Sequence, residues 1–289
     1  MFGWLNVDKP GGITSRDAVN QIQRIVAPLK VGHAGTLDPL ATGVLVIAIG
    51  PATRLVPFIQ ELPKRYRATF RFGWRSDTDD IDGRLEPCPG STIEQHALEL
   101  TLEQFVGDQE QIPPDYSAVK VQGRRAYELA RQGASVELAA RRIQVYSLRL
   151  INYTPPDWSV EIACSKGTYV RALGRDIAAR LQTCAVMTEL RRTAVGPFKA
   201  EEAVPLERLR DAQAVAEALL PPAWPLQDWP SVQVNDHQRG ALHHGQSIAL
   251  STAPSWMDRQ VLAFDSSGAL VAVLTPECQG KRRPALCFV

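Results

Sequence analysis

The sequence predicts an α+β protein: a mixed sheet with helices packed on it, followed by a small C-terminal β-domain. Three observations predict this. Strand-period and helix-period segments are interspersed without the strict alternation of a doubly wound fold. The run Val44-Leu45-Val46-Ile47-Ala48-Ile49 has no polar residue and reads as a strand buried on both faces. Pro221-Pro222-Ala223-Trp224-Pro225 then breaks regular structure before a set of short strands. At 289 residues, 45% hydrophobic and 22% charged, the chain is long enough for a large domain, residues 1–225, and a small one, residues 230–289.

Residues 2–7 read as a short strand and Lys9-Pro10-Gly11-Gly12 as a turn. Thr14 or Ser15 caps a helix in which Ala18, Val19, Ile22, Ile25 and Val26 recur at helical spacing until Pro28. After the apolar strand, residues 52–59 form a short helix. Residues 64–73 alternate, with Tyr66, Ala68, Phe70 and Phe72 on one face and Arg65, Arg67, Thr69 and Arg71 on the other, which gives a half-buried strand with a basic outer face. The string SDTDDIDG from Ser76 lacks the terminal Glu and the flanking helices of a calcium loop, so it reads as an acidic surface turn.

Residues 93–105 are helical, and 124–131 form a short helix stopped by Gly133. Residues 143–153 and 158–164 make a hairpin, 168–181 a helix, 186–195 a strand and 206–220 a last helix. Past the proline break, 231–234, 247–250, 260–265, 270–274 and 285–289 are short strands separated by turn residues.

No basic region leads into an apolar segment at the N-terminus, and no apolar run approaches the length of a membrane span, so a cytoplasmic protein is expected. Five cysteines, Cys88, Cys164, Cys184, Cys278 and Cys287, include no C-x-x-C pair and are odd in number, so reduced thiols are expected. His243-His244 lacks i, i+4 spacing and acidic companions, which argues against a metal site. The net charge of +1 conceals opposed segments. Residues 1–75 carry ten Lys/Arg against four Asp/Glu and residues 111–200 fourteen against seven, whereas 76–110 carry one against ten and 201–230 two against six. On a common face the basic segments suit an RNA backbone; scattered all round they are ordinary solvated charge.

One acid stands apart. Asp38 lies in residues 32–45, GHAGTLDPLATGVL, a glycine-rich loop without another charge that runs straight into the apolar strand. Turn chemistry explains an arbitrary Asp-Pro, because the aspartate caps local N–H groups. The position is nevertheless close to a core, and a lone acid placed that way asks for a reason.

The whole string resembles, without a gap, the catalytic-loop motif of the TruB family of pseudouridine synthases, which isomerise uridine 55 in the T arm of tRNA. Five further segments resemble the family in the same order: LNVDKPGGITS from Leu5, KRYRATFRFGWRSDTDDIDG from Lys64, IPPDYSAVKVQGRRAYELARQG from Ile112, CSKGTYVRALGRDI from Cys164 and LRRTAVGPF from Leu190. The resemblance covers about the first 210 residues, and the strand pattern of the tail resembles the PUA-like RNA-binding domains found in many members.

The resemblance implies the pseudouridine-synthase fold, tRNA as the partner, no cofactor, no metal and no obligate protein partner. Asp38 would be the catalytic aspartate, and Arg171, from TYVR, would stand against its carboxylate. Tyr169 would contact the bound nucleotide. Tyr66, from KRYR, would lay its ring on the target base with its hydroxyl near C5. His33 would fill the gap left by the flipped nucleotide, and Leu190 would line the uracil pocket. Beside it, Arg191 and Arg192 could reach phosphates.

On pattern alone Tyr66 is a core residue and His33 a structural histidine. A noncatalytic RNA-binding protein would show the same basic segments and tail, but it has no need of Asp38, Tyr66, Tyr169 and Arg171 together. A nucleoside or glycoside hydrolase would want a second carboxylate or a metal to activate water, and no other acid occupies a comparable loop. A third alternative is a relative that works with guide RNA and accessory proteins. A monomer is expected, since no long heptad pattern demands a partner.

Overall fold

The structure is a computed structural model. It describes residues 1–88, 90, 92–117, 120, 121, 124, 125, 138–250, 256, 258–277 and 280–288. The chain begins with β1 (Gly3–Lys9), α1 (Ser15–Val26), β2 (Val31–His33) and β3 (Thr42–Ile49), then a 3-10 turn, Gly50–Leu55, leading into α2 (Val56–Glu61). β4 (Lys64–Phe72), the hairpin β5 (Trp74–Ser76) and β6 (Leu85–Pro87), α3 (Gln95–Gln104) and β7 (Gly107–Gln111) follow. Next come β8 (Lys120–Val121), β9 (Arg124–Arg125), the long hairpin β10 (Arg141–Thr154) and β11 (Asp157–Cys164), and α4 (Val170–Arg180). β12 (Ala185–Val195), β13 (Phe198–Lys199), β14 (Val204–Pro205) and α5 (Ala212–Glu217) lead to a last group: β15 (Ser231–Gln233), α6 (Asp236–His243), β16 (Ile248–Ala249), β17 (Val261–Phe264), β18 (Leu270–Pro276) and β19 (Lys281–Cys287).

The large sheet runs β14-β1-β3-β12-β4-β11-β10-β7, with β2 added to β3 and β13 to β12. The pairs β1–β14 and β3–β12 are parallel; the other neighbours are antiparallel. A smaller sheet, β15-β17-β18-β19-β16, holds the C-terminal strands. Among the described residues no helix is long and apolar enough to cross a membrane.

The unbroken apolar run of β3 follows from its position between two cores. Successive strand side chains point to opposite faces. Leu45, Ile47 and Ile49 therefore join Ala18, Val19, Ile22 and Val26 of α1, while Val44, Val46 and Ala48 join Trp4, Ile59, Leu262 and Val273. Neither face meets water, so neither tolerates a polar residue. α1 starts where its chemistry dictates: Thr14 is the N-cap, its hydroxyl accepting from Asp17 N–H at 3.1 Å and its own N–H donating to Asp17 Oδ2 at 3.0 Å, a capping box.

The second of these cores also ties the C-terminal sheet to the large one. Phe2 packs on Phe288 with ring centroids 5.2 Å apart, Phe58 meets Trp229 edge-on at 5.3 Å, and Phe198 lies 5.0 Å from Trp224. The proline-rich stretch expected to be irregular thus contributes a packed 3-10 turn, Trp224–Leu226, with Pro225 and Leu226 buried.

Several expectations are corrected. Residues 206–220 are not one helix: Leu206–Arg208 is a 3-10 turn, and Asp211 accepts from Ala214 N–H at 2.9 Å to start α5 afresh. The expected helix over 124–131 conflicts with the β8–β9 ladder, in which Arg124 pairs with Val121 and Arg125 with Lys120; its remainder, with Gly133, lies outside the described residues. α6, capped by Asn235, interrupts what reads as a run of strands.

The cysteines are not all reduced, because Cys88 and Cys184 form a disulfide across Cα atoms 6.0 Å apart. Gly73 brings them together: Cys88 N–H donates to Gly73 O and Gly73 N–H to Cys184 O, both at 2.9 Å. The bond spans a sequence separation of 96, and restricting an unfolded chain that far is worth about 2–4 kcal/mol. A reducing agent is expected to lower the melting temperature of the wild-type protein by several degrees and leave a Cys88→Ala/Cys184→Ala variant unmoved. Equal shifts in both proteins would show that the cross-link does not stabilise the fold.

Candidate active site

Asp38 sits on the loop between β2 and β3, and three neighbouring elements fix the backbone of that loop. From the first turn of α1, Ser15 Oγ donates to Leu37 O at 3.0 Å and accepts from Leu37 N–H at 2.8 Å. From the end of β1, the fully buried Lys9 donates to Pro10 O at 2.8 Å, Ile13 O at 2.7 Å and Pro39 O at 3.4 Å. From β12, Arg192 donates to Val44 O at 2.7 Å, Thr36 O at 3.2 Å and Gly35 O at 3.0 Å. Burial lowers the Lys9 ammonium to about 8, a fall that Asp38 opposes.

The parallel pairing of β3 with β12 sets Gly43 opposite Arg192. Gly43 has φ +97°, and a Cβ there would stand 2.3 Å from Arg192 O. Only glycine allows both the conformation and the close approach.

Arg171, in the first turn of α4, is the cation that faces Asp38. Its Nε donates to Asp38 Oδ2 at 3.0 Å and lies 3.6 Å from Asp80 Oδ2. Its Nη1 donates to Thr78 O at 2.6 Å and Nη2 to Tyr116 O at 3.1 Å. The Arg171 and Asp80 side chains are 5% and 7% exposed, whereas that of Asp38 is 34% exposed. The geometry is therefore a buried guanidinium, held from behind by two backbone carbonyls and a buried carboxylate, that holds a second carboxylate at the rim where a ligand can reach it.

The string SDTDDIDG is thus not merely a surface turn. Asp79 has φ +59°, a conformation aspartate tolerates, and the chain there turns inward. Arg175 Nη1 meets Asp79 Oδ2 at 2.9 Å, and Asp80 Oδ1 accepts from Thr78 Oγ1 at 2.6 Å. Burial raises the carboxyls of both aspartates; Arg175 and Arg171 oppose the rise at Asp79, and Thr78 and Arg171 oppose it at Asp80.

Tyr66 projects from β4 opposite Ile162 on one side and Arg192 on the other. Burial raises its phenol above the ordinary value, against the pull of Arg192, so the hydroxyl stays protonated at neutral pH. Leu190 is buried on β12 in register with Ala68. Tyr169 is the half-buried N-cap residue of α4, two positions before Arg171. His33 closes β2 at the start of the loop, its Nδ1 accepting from Gly35 N–H at 3.4 Å.

The structure therefore joins Asp38 directly to Arg171 and sets Tyr66 beside Arg192, while His33 and Tyr169 flank the site from the loop and the helix start. Sequence reasoning missed Asp80, Ser15, Lys9 and the loop-anchoring role of Arg192. Asp80 lay within a charge run and within the family-like segment from Lys64, but neither marked it out from the acids beside it.

The charged surface differs from expectation. Arg192 is buried on backbone carbonyls and does not face phosphate, and Arg191 forms a two-bond pair with Asp8 at 3.0 and 2.9 Å. The basic outer face of β4 is paired across the sheet with β11: Arg67 with Glu161 at 2.8 Å, and Arg71 with Asp157 at 2.7 Å. Pairs this exposed contribute little to stability and can exchange for other anions.

Residues 23–170 match the model of the TruB family pseudouridylate synthase N-terminal domain, and residues 171–222 that of the tRNA pseudouridylate synthase B C-terminal domain. The chain is 41% identical over 295 residues to tRNA pseudouridine synthase B of Caulobacter sp. (strain K31), covering 99% of this chain and 91% of that protein. It is 45% identical over 259 residues to the protein of the same name from Bradyrhizobium diazoefficiens, covering 86% of this chain and 75% of that protein. Its backbone is similar to a chain in the crystal structure of a Cbf5-Nop10-Gar1 complex, with TM-score 0.76 and 26% identity, covering 100% of this chain and 84% of that one. Two adjacent family models that together span residues 23–222, and relatives at this identity along most of the sequence, place the chain in the TruB family of pseudouridine synthases.

Proposed function

We propose that this protein isomerises uridine to pseudouridine at position 55 in the T loop of tRNA, acting as a single chain without a cofactor. The observation that carries the reading is the Asp38–Arg171 pair at 3.0 Å, on a loop whose backbone is fixed by Ser15, Lys9 and Arg192. Isomerisation breaks the N1–C1′ bond, turns the uracil and joins C5 to C1′. The proton leaves C5 and N1 gains one, so no water, redox equivalent or phosphate donor is consumed. Asp38 serves at C1′ as a nucleophile or at C2′ as a base; both routes need the same carboxylate oxygen within reach.

A uridine in a folded T loop reaches Asp38 only by leaving its stack, at a cost of a few kcal/mol that new contacts offset. His33 fills the vacated place. Tyr66 and Tyr169 meet the extruded nucleotide, and Leu190 helps keep the pocket dry for the detached base. The C-terminal sheet serves as a PUA-like RNA-binding unit.

The test is to incubate the purified chain with unmodified tRNA and map the modified position. Pseudouridine at position 55 supports the proposal. Release of free uracil would make the protein a hydrolase, binding without conversion would make it a noncatalytic RNA-binding protein, and dependence on guide RNA and added proteins would make it a subunit of a larger machine.

Tyr66→Phe separates a chemical role from packing, because it keeps the ring and deletes only the hydroxyl. The single-turnover rate is expected to fall by roughly 100-fold or more, with melting temperature and tRNA affinity near wild type. Unchanged turnover would return Tyr66 to packing or stacking.

A further inference from the structure

We infer that Gln111 and Arg141 are positioning residues that seat Tyr169, one through its backbone and the other through its ring. The two residues are cross-strand partners, the last of β7 and the first of β10, on the edge of the large sheet. Gln111 is 2% exposed. Its side-chain amide meets Tyr169 twice: Nε2 donates to Tyr169 O at 3.0 Å, and Oε1 accepts from Tyr169 N–H at 2.8 Å. A single side chain thus pairs with the peptide groups as a neighbouring strand would. Tyr169 precedes the first turn of α4, which has no side-chain cap. Its N–H has no intrahelical partner, and Gln111 supplies one.

Arg141 holds the other half of the residue. Its guanidinium carbon lies 4.5 Å from the centroid of the Tyr169 ring. Among the described residues, Nε and Nη2 of Arg141 are buried without a hydrogen-bond partner. Buried, unpaired guanidinium nitrogens weaken a fold, so stability does not account for an arginine here. Its stacking on the ring does, because a planar cation restrains the ring and leaves the opposite face for a nucleotide base. Arg171 follows Tyr169 by two residues, so the same seat fixes the start of the helix that delivers the guanidinium to Asp38.

This inference rests on the reading of Tyr169 as a residue that contacts the nucleotide. Its test compares single-turnover kinetics over a range of tRNA concentrations, and melting temperatures, for Arg141→Met, Arg141→Lys, Gln111→Met, Tyr169→Ala and the double variant Arg141→Met/Tyr169→Ala. Arg141→Met is expected to lower the ratio of maximal rate to half-saturating tRNA concentration roughly tenfold while holding or raising the melting temperature. Arg141→Lys restores only part of the loss, since an ammonium does not stack as a plane.

Gln111→Met is expected to lower the same ratio and also the melting temperature, because it strands the Tyr169 N–H. In the Tyr169→Ala background, Arg141→Met is expected to change nothing further. Wild-type kinetics for Arg141→Met beside a slow Tyr169→Ala would overturn the positioning role alone, as would losses that multiply in the double variant. Wild-type kinetics for Tyr169→Ala would overturn the reading of Tyr169 itself.

Discussion

Replacing Asp38 with asparagine is expected to reduce conversion of tRNA by roughly 10⁴-fold or more, to the limit of detection, while tRNA affinity stays within about tenfold. The amide has the shape of the carboxylate, and its oxygen still accepts from Arg171 Nε, which lies 3.0 Å from Asp38 Oδ2 in the native protein. Ser15, Lys9 and Arg192 hold the loop through backbone atoms, which the substitution leaves in place. What disappears is the charge and the basicity, which both proposed routes require. Single-turnover conversion together with a binding isotherm checks the expectation. A variant that converts tRNA at the wild-type rate would remove Asp38 from the mechanism.

Arg171 gives the second large effect, and it divides into two parts. Arg171→Met removes the cation from Asp38 and Asp80 and strands the carbonyls of Thr78 and Tyr116. Breaking a buried pair by deleting one partner costs about 3–5 kcal/mol, because the remaining charge is left without compensation. The rate is expected to fall by about 10²–10³-fold as Asp38 loses its orientation.

Adding Asp80→Asn separates the two effects. It removes the more deeply buried of the stranded carboxylates, so the melting temperature of Arg171→Met/Asp80→Asn should recover part of the loss while conversion stays low. Recovery of the rate along with the stability would mean that Arg171 matters only to the fold.

Features that depend on neighbours in sequence were legible. The alternation in β4, the capping box of α1 and the apolar run of β3 each follow from a short window, and the glycine-rich string around Asp38 marked the loop. What stayed hidden came from packing between distant segments. SDTDDIDG reads as solvated charge because nothing within it tells that Arg171 and Arg175, more than 90 positions later, will fold against Asp79 and Asp80.

Arg192 reads as a phosphate ligand because the sequence does not show which arginine of a pair points inward. On a strand the two must point to opposite faces: Arg191 goes to Asp8, and Arg192 goes to the carbonyls of the Asp38 loop. The helix expected over 206–220 failed for a local reason, since the apolar spacing continues through Asp211, which caps a new helix instead of extending the old one.

The partners of Arg171 come from positions 38, 78, 80 and 116, up to 133 residues away from it. A folding chain completes such a set late, because each distant contact must first repay the entropy of closing a loop. Without α4 in place, Asp38 has a backbone held by Ser15, Lys9 and Arg192 but lacks the guanidinium that orients its carboxylate. No contiguous fragment that stops before residue 171 contains the pair. Catalytic competence is therefore expected to arrive late in folding, with activity during refolding recovering after helix content does.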